Sequence, residues 1–190
     1  MKLIKFAAAA ATSFVLSTGM ATAEDKPVVG LVMKSLANEF FQNMMVGAKE
    51  HAEMRGDYTL IAVGMQNETD FESQINAVEN FITQGVDAIV IAPADSRAMV
   101  RPIKRAMEAG IVVVNFDVSL DAAAKEQQGI ELAFVGPDNR GGAKLAGDAL
   151  GVALGDGGKV VIIEGNPGAD NANERRLGFE ASVAEHKLEL

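Results

Sequence analysis

Short, almost unbroken apolar runs alternate with amphipathic stretches along this chain, and that alternation limits the fold more than any other feature. Pro27 to Met33 (PVVGLVM), Tyr58 to Val63, Asp87 to Ile91 (DAIVI), Ile111 to Asn115 (IVVVN) and Leu132 to Val135 read as strands buried on both faces. Between them, Glu39 to Arg55 carries Phe41, Met44, Met45, Ala48 and Ala52 at helical spacing, with Asn38 as cap and Gly56 as stop. Phe71 to Thr83 does the same with Phe71, Ile75, Val78 and Ile82, ending at Gly85. A third helix runs to about Glu108, with Pro102 in its first turn. Strands joined by amphipathic helices demand a parallel sheet covered by helices, an α/β fold. Residues 24–136 form one complete layered unit. The pattern then restarts: a helix from Pro137 to Leu154 capped by Asp138, a strand at Lys159 to Ile163 (KVVII), a helix from Asn171 to Glu185, and the start of a strand at Leu188. Residues 137–190 are too few to bury a core of their own. The polypeptide is therefore expected to continue past Leu190 into the rest of a second lobe.

Residues 1–23 stand apart. Lys2 and Lys5 make a basic start, Phe6 to Leu16 an apolar stretch, and Ala21-Thr22-Ala23 a small-residue cleavage site. A removable export signal is expected, releasing an unanchored protein into a Gram-negative periplasm. The apolar stretch is short for a membrane span, and no cysteine offers a lipid attachment point. Cleavage removes two of the 17 basic residues and none of the 26 acidic ones, so the formal charge moves from -9 to 15 - 26 = -11. Acidity of this size, without a basic run, argues against nucleic acid as a partner.

Catalytic chemistry finds little to work with. Cysteine is absent, which removes disulfides, thiolate metal sites and cysteine nucleophiles together, and the two histidines His51 and His186 lie far apart. No HExxH or GxSxG occurs. The loop Lys34 to Asn38 lacks the glycines of a dinucleotide site, and Gly155-Asp156-Gly157-Gly158-Lys159 is followed by Val160 and a strand rather than by Ser or Thr and a helix. The expectation is a non-enzyme without metal or cofactor.

A parallel sheet binds ligands beyond the carboxyl ends of its strands. The side chains of interest there are polar and aromatic. Asn38 suits a helix cap, a ligand contact, or both. Phe41 falls on the core stripe of its helix, whereas Phe40 lies off it. Asp117, just past the fourth strand, can open a turn or accept a pair of hydroxyls. Arg175 and Arg176, early in the last helix, fit a solvated surface equally well. The Asn67-Glu68-Thr69 sequon carries no weight.

Four segments add a resemblance. Gly30 to Phe41 (GLVMKSLANEFF), Asn115-Phe116-Asp117, Val135 to Asn139 (VGPDN) with Ala146-Gly147-Asp148, and Asn173 to Phe179 (NERRLGF) follow in order the pattern of ribose-binding-type periplasmic proteins. The resemblance implies the two-lobed type I periplasmic-binding-protein fold. It also implies a hinge near Gly136 and Pro137, a sugar or polyol held between the lobes, and docking on the inner-membrane permease of an ABC importer by a monomeric receptor. It assigns Asn38, Phe40 and Phe41 as first-lobe sugar contacts, Asp117 as the carboxylate taking a hydroxyl pair, and Arg175 as a second-lobe donor. Val118 departs from the pattern: ribose binders carry an arginine there, so another sugar or a polyol is expected. A sensor feeding chemotaxis or signalling would look the same. A Lac-repressor-type effector core would need a DNA-binding helix pair where the export signal stands.

Overall fold

The computed structural model describes residues 26–155 and 157–190, so the expected export signal at 1–23 lies outside the described residues. Five strands pair in parallel in the order β2-β1-β3-β4-β5. They are β1 Val28–Ser35, β2 Thr59–Met65, β3 Ala88–Ile91, β4 Val112–Phe116 and β5 Ala133–Val135. The helices that join them are α1 Glu39–Arg55, α2 Phe71–Gln84, α3 Val100–Glu108 and α4 Ala122–Gln128.

The alternation within β1 explains why both faces are covered. Leu31 and Met33 pack with Phe41 and Met45 of α1, Ala92 and Phe116. Val32 lies on the opposite face with Val78 and Phe81 of α2, Ile103 of α3, Ile89, Ile91 and Val113. Gly30 allows α2 to come this close: a Cβ there would sit 2.5 Å from the Phe81 ring. The expected strands and helices of this unit occur within about two residues of their places. One element was not anticipated, α4, which Asp121 caps by accepting from Ala124 N at 2.7 Å and which ends at Gly129 in the left-handed region.

Two buried amides tie the sheet's carboxyl edge together. Gln74, fully buried on α2, donates to the carbonyls of Met33 at 3.1 Å and Ala92 at 2.8 Å and accepts from Ala94 N at 2.7 Å. Asn115, also buried, donates to the carbonyls of Val118 at 2.8 Å and Ile91 at 3.3 Å and accepts from Leu120 N at 2.9 Å. A buried polar group left unpaired costs more than the bond it lost. Asn115→Ala is therefore expected to lower stability by about 2 kcal/mol, as water refills part of the vacated volume. The midpoint of urea denaturation reads this directly; an unmoved midpoint removes Asn115 from that role.

Beyond β5 the chain forms α5 Asn139–Leu154 and α6 Asp170–Glu185, which pack closely on each other. Gly178 on α6 faces the main chain of α5, where a Cβ would press on the Arg140 carbonyl oxygen and lie 2.9 Å from Ala143 Cβ and Lys144 N. The strand expected at Lys159 to Ile163 is not formed. Among the described residues, this segment has one parallel bridge, Lys159 to Glu189, with Val160 N donating to Glu189 O at 2.9 Å. A strand needs a partner segment along at least one edge and a run this apolar needs its faces covered, and here Val161 and Ile163 are 85% and 93% exposed.

The segment from Asn166 to Asp170 meets the loop after β3 through main-chain and side-chain polar groups. Ser96 N donates to Gly168 O at 2.8 Å, Asp170 N donates to Ser96 Oγ at 2.9 Å, and the Asn166 amide reaches Ala94 O at 3.3 Å.

Candidate functional site

The carboxyl ends of β1, β2 and β4 open into a crevice of about 500 Å³, which the segment from Gly165 to Arg175 closes on the other side. All five side chains singled out above line it: Asn38, Phe40, Phe41, Asp117 and Arg175. Lys34 and Glu68, which the sequence reading did not select, line it too. The strand order reverses direction between β1 and β3, and a crevice at that reversal is where an open parallel sheet admits a ligand.

Each wall has a local cause. Asn38 caps α1, its Oδ1 accepting from Phe40 N at 3.0 Å, and this places Phe40 and Phe41 in the first turn. Phe41 is 3% exposed and belongs to the core, as its stripe position predicts, yet an edge of it still reaches the crevice. Phe40 is 53% exposed and packs edge-on to Phe41, with ring centroids 5.1 Å apart. It therefore offers a free aromatic face, the surface that covers the C–H patches of a sugar ring.

Asp117 adopts a left-handed backbone, φ 61°, with its N–H donating to Val135 O at 2.9 Å. The Asn115 network holds the chain around that turn. Burial pushes the Asp117 carboxyl above the usual carboxylate range, while Lys34 and Arg175 pull it back and Glu68 pushes it further up. Val118 is wholly buried and is not among the residues that line the crevice.

Lys34, 6% exposed, pairs with Glu68 at 3.1 Å, and the Asn38 amide donates to the same carboxylate at 3.0 Å. Across the opening, Arg175 Nε donates to Asn139 Oδ1 at 2.8 Å, and Arg140 forks onto Glu174 at 2.7 and 2.9 Å beside it. The crevice thus holds two cations and two anions. Such a set offers donors and acceptors in plenty but no net charge, which suits a neutral, hydroxyl-rich guest.

Two other places are less suited to a ligand. A hollow of about 330 Å³ between α5, α6 and the 160–163 segment is walled, among the described residues, by apolar side chains and Ser182, a poorer match for a hydroxyl-rich guest. Among the described residues, Asp148, Glu185 and His186 converge in the manner of a metal set, but the Lys144 ammonium already lies 2.8 Å from Asp148 and 2.6 Å from Glu185. Together with the Ser182 hydroxyl it holds the Asp148 carboxyl below its ordinary value.

These features define a class of α/β proteins in which the chain beyond the sheet returns across the strand ends to line a polar crevice. Within that class the chain belongs to the periplasmic binding protein domain family, which matches residues 29–190. The sheet and its helices match the type I periplasmic binding fold. The chain is 49% identical, over 92% of its length, to the D-ribose/D-allose-binding protein of Pseudomonas aeruginosa, and spans 55% of that relative. It superposes with a TM-score of 0.83 and 46% identity on an ABC transporter solute-binding protein from Burkholderia multivorans, covering 86% of this chain and 58% of that one. A solute-binding protein from Actinobacillus succinogenes with bound D-allose gives a TM-score of 0.77 at 38% identity, covering 87% and 57%. The chain spans little more than half the length of these three proteins.

Proposed function

We propose that this chain is the ligand-binding part of a solute receptor for an ABC importer, and that it takes a neutral monosaccharide or polyol into the crevice between its two units. One observation carries the reading: a free aromatic face and a charge-balanced set of hydrogen-bonding groups line a single crevice at the strand ends. Phe40 covers the apolar face of the ring, with the edge of Phe41 beside it. Asp117 accepts a hydroxyl pair, and Asn38 and Arg175 donate from opposite walls. The relatives' names, ribose and allose binding, agree with that chemistry.

In this reading residues 24–136 are the first lobe and 137–190 the start of the second, with the hinge near Gly136 and Pro137. A guest that touches both lobes only when they approach biases the molecule toward closure. Residues 1–23 direct export, the mature receptor works as a periplasmic monomer, and its closed form docks on the permease. No catalytic step is involved.

The test is a thermal-shift and NMR screen of the protein against pentoses, hexoses, polyols, amino acids and nucleotides. Sugars or polyols should stabilise it, by about 2.7 kcal/mol when ligand is a hundredfold above Kd. Amino acids and nucleotides should not. Stabilisation by an amino acid alone, or chemical-shift changes away from the crevice, would sink the reading.

A further inference from the structure

We propose that Glu68 is a positioning residue of the crevice: held between the Lys34 ammonium and the Asn38 side-chain amide, it fixes which hydrogen-bonding groups those two side chains offer a bound sugar. This rests on the sugar-receptor reading and adds a determinant of selectivity to it.

The geometry leaves Asn38 little freedom. Its amide oxygen is committed to Phe40 N at 3.0 Å and its nitrogen to Glu68 Oε1 at 3.0 Å. A terminal amide has two N–H donors, so Asn38 keeps one N–H for a guest and cannot turn its oxygen toward it without losing both bonds. The other carboxylate oxygen, Oε2, holds Lys34 Nζ at 3.1 Å. The Lys34 stem is buried, and an ammonium has three donors, so two remain. A carboxylate used only to neutralise a buried cation would need no contact with Asn38; Glu68 grips both residues and lies on the crevice wall itself. It thereby sets this part of the wall as donor-rich, in the same crevice as the acceptor Asp117.

Glu68 also acts on Asp117 through space. The charged groups lining the crevice around that carboxyl are Lys34 from β1, Arg175 from α6 and Glu68 from the loop between β2 and α2. The first two favour its ionised form and Glu68 disfavours it. A residue that merely braced the loop would not influence the pH at which sugar binding fails.

The experiment is an NMR titration of the full-length protein that contains this chain with D-allose and with D-ribose across the acid range, a method that reads millimolar as well as micromolar binding. Glu68→Gln should weaken binding by about tenfold, as a charge-assisted contact and the fixed Asn38 orientation are lost. It should also move the acid limb of binding to lower pH, because the like charge beside Asp117 is gone. Glu68→Asp, which keeps the charge but shortens the reach, should weaken binding and move the limb less. If Glu68→Gln does not fold, the Lys34→Met, Glu68→Gln pair removes the buried cation with its partner and carries the affinity measurement. Its loss should then exceed that of Lys34→Met alone. Wild-type affinity in these variants, or an acid limb that stays in place, overturns the role of Glu68 and leaves the receptor reading standing. Failure of the unaltered protein to bind any sugar overturns both.

Discussion

Asp117→Asn should weaken binding of D-allose or D-ribose by roughly a hundredfold, since a charged acceptor for two hydroxyls becomes a neutral group with one accepting oxygen. Asparagine is chosen over alanine because the site sits at φ 61°, a backbone that asparagine adopts readily and alanine does not. The same change should make the unliganded protein more stable at neutral pH. Burial raises the folded-state pKa of this carboxyl. A carboxyl raised in this way takes stability away as pH climbs through its unfolded value, so the variant gains above that window and gains nothing well below it. Binding by the parent protein should also fall on acidification, from a pH above that of an ordinary aspartate, and the variant should lack that limb. Titration calorimetry and denaturation at two pH values check both parts. Unchanged affinity removes Asp117 from the site, and lower stability at neutral pH contradicts the burial argument.

Gly178→Val should cost at least about 3 kcal/mol of stability. Helix propensity is nearly neutral for this change, because glycine and valine are both poor helix formers. Packing therefore decides. The atoms in the way are the Arg140 carbonyl and the Lys144 nitrogen, main-chain groups of α5 that cannot rotate aside as a side chain would. The helices would have to separate, and the damage should reach the crevice. One turn before Gly178, Arg175 is anchored by Asn139 and Glu174 by Arg140, both across the same helix pair. A fall in thermal midpoint together with weaker sugar binding is expected. A folded variant with the parent's midpoint would show that the helices can part at no cost.

The sheet and its main helices were readable because their signals are local. An unbroken apolar run such as DAIVI or IVVVN, followed by a stripe at helical spacing, says strand and helix without reference to anything distant. Two elements were misjudged for opposite reasons. In α4, seven residues of AAAKEQQ are too few to show an apolar stripe, and the usable marks were the Asp121 cap and the Gly129 stop. In KVVII the local signal is strong, but a strand is a relation between segments, and beyond the single bridge at Lys159 the run has no edge to pair with. The crevice was legible in part. Asn38, Phe40 and Phe41 are near neighbours in the chain, but Asp117 comes from the end of β4 and Arg175 from α6, and a resemblance rather than any spacing pointed to them as a set. Lys34 and Glu68 escaped notice because they stand 34 residues apart in the chain; the parallel register of β1 with β2, which sets Ser35 beside Met65, is what makes them neighbours.

The balance of Lys34 and Arg175 against Glu68 and Asp117 has a consequence outside the molecule. A cleft with a strong field of one sign draws in its guest by steering, and added electrolyte blunts that pull. A cleft with equal numbers of both signs favours ions of neither sign, and an uncharged guest feels no such pull for salt to screen. Uncharged solutes would enter it as readily from brackish water as from rainwater, and capture would follow their concentration alone.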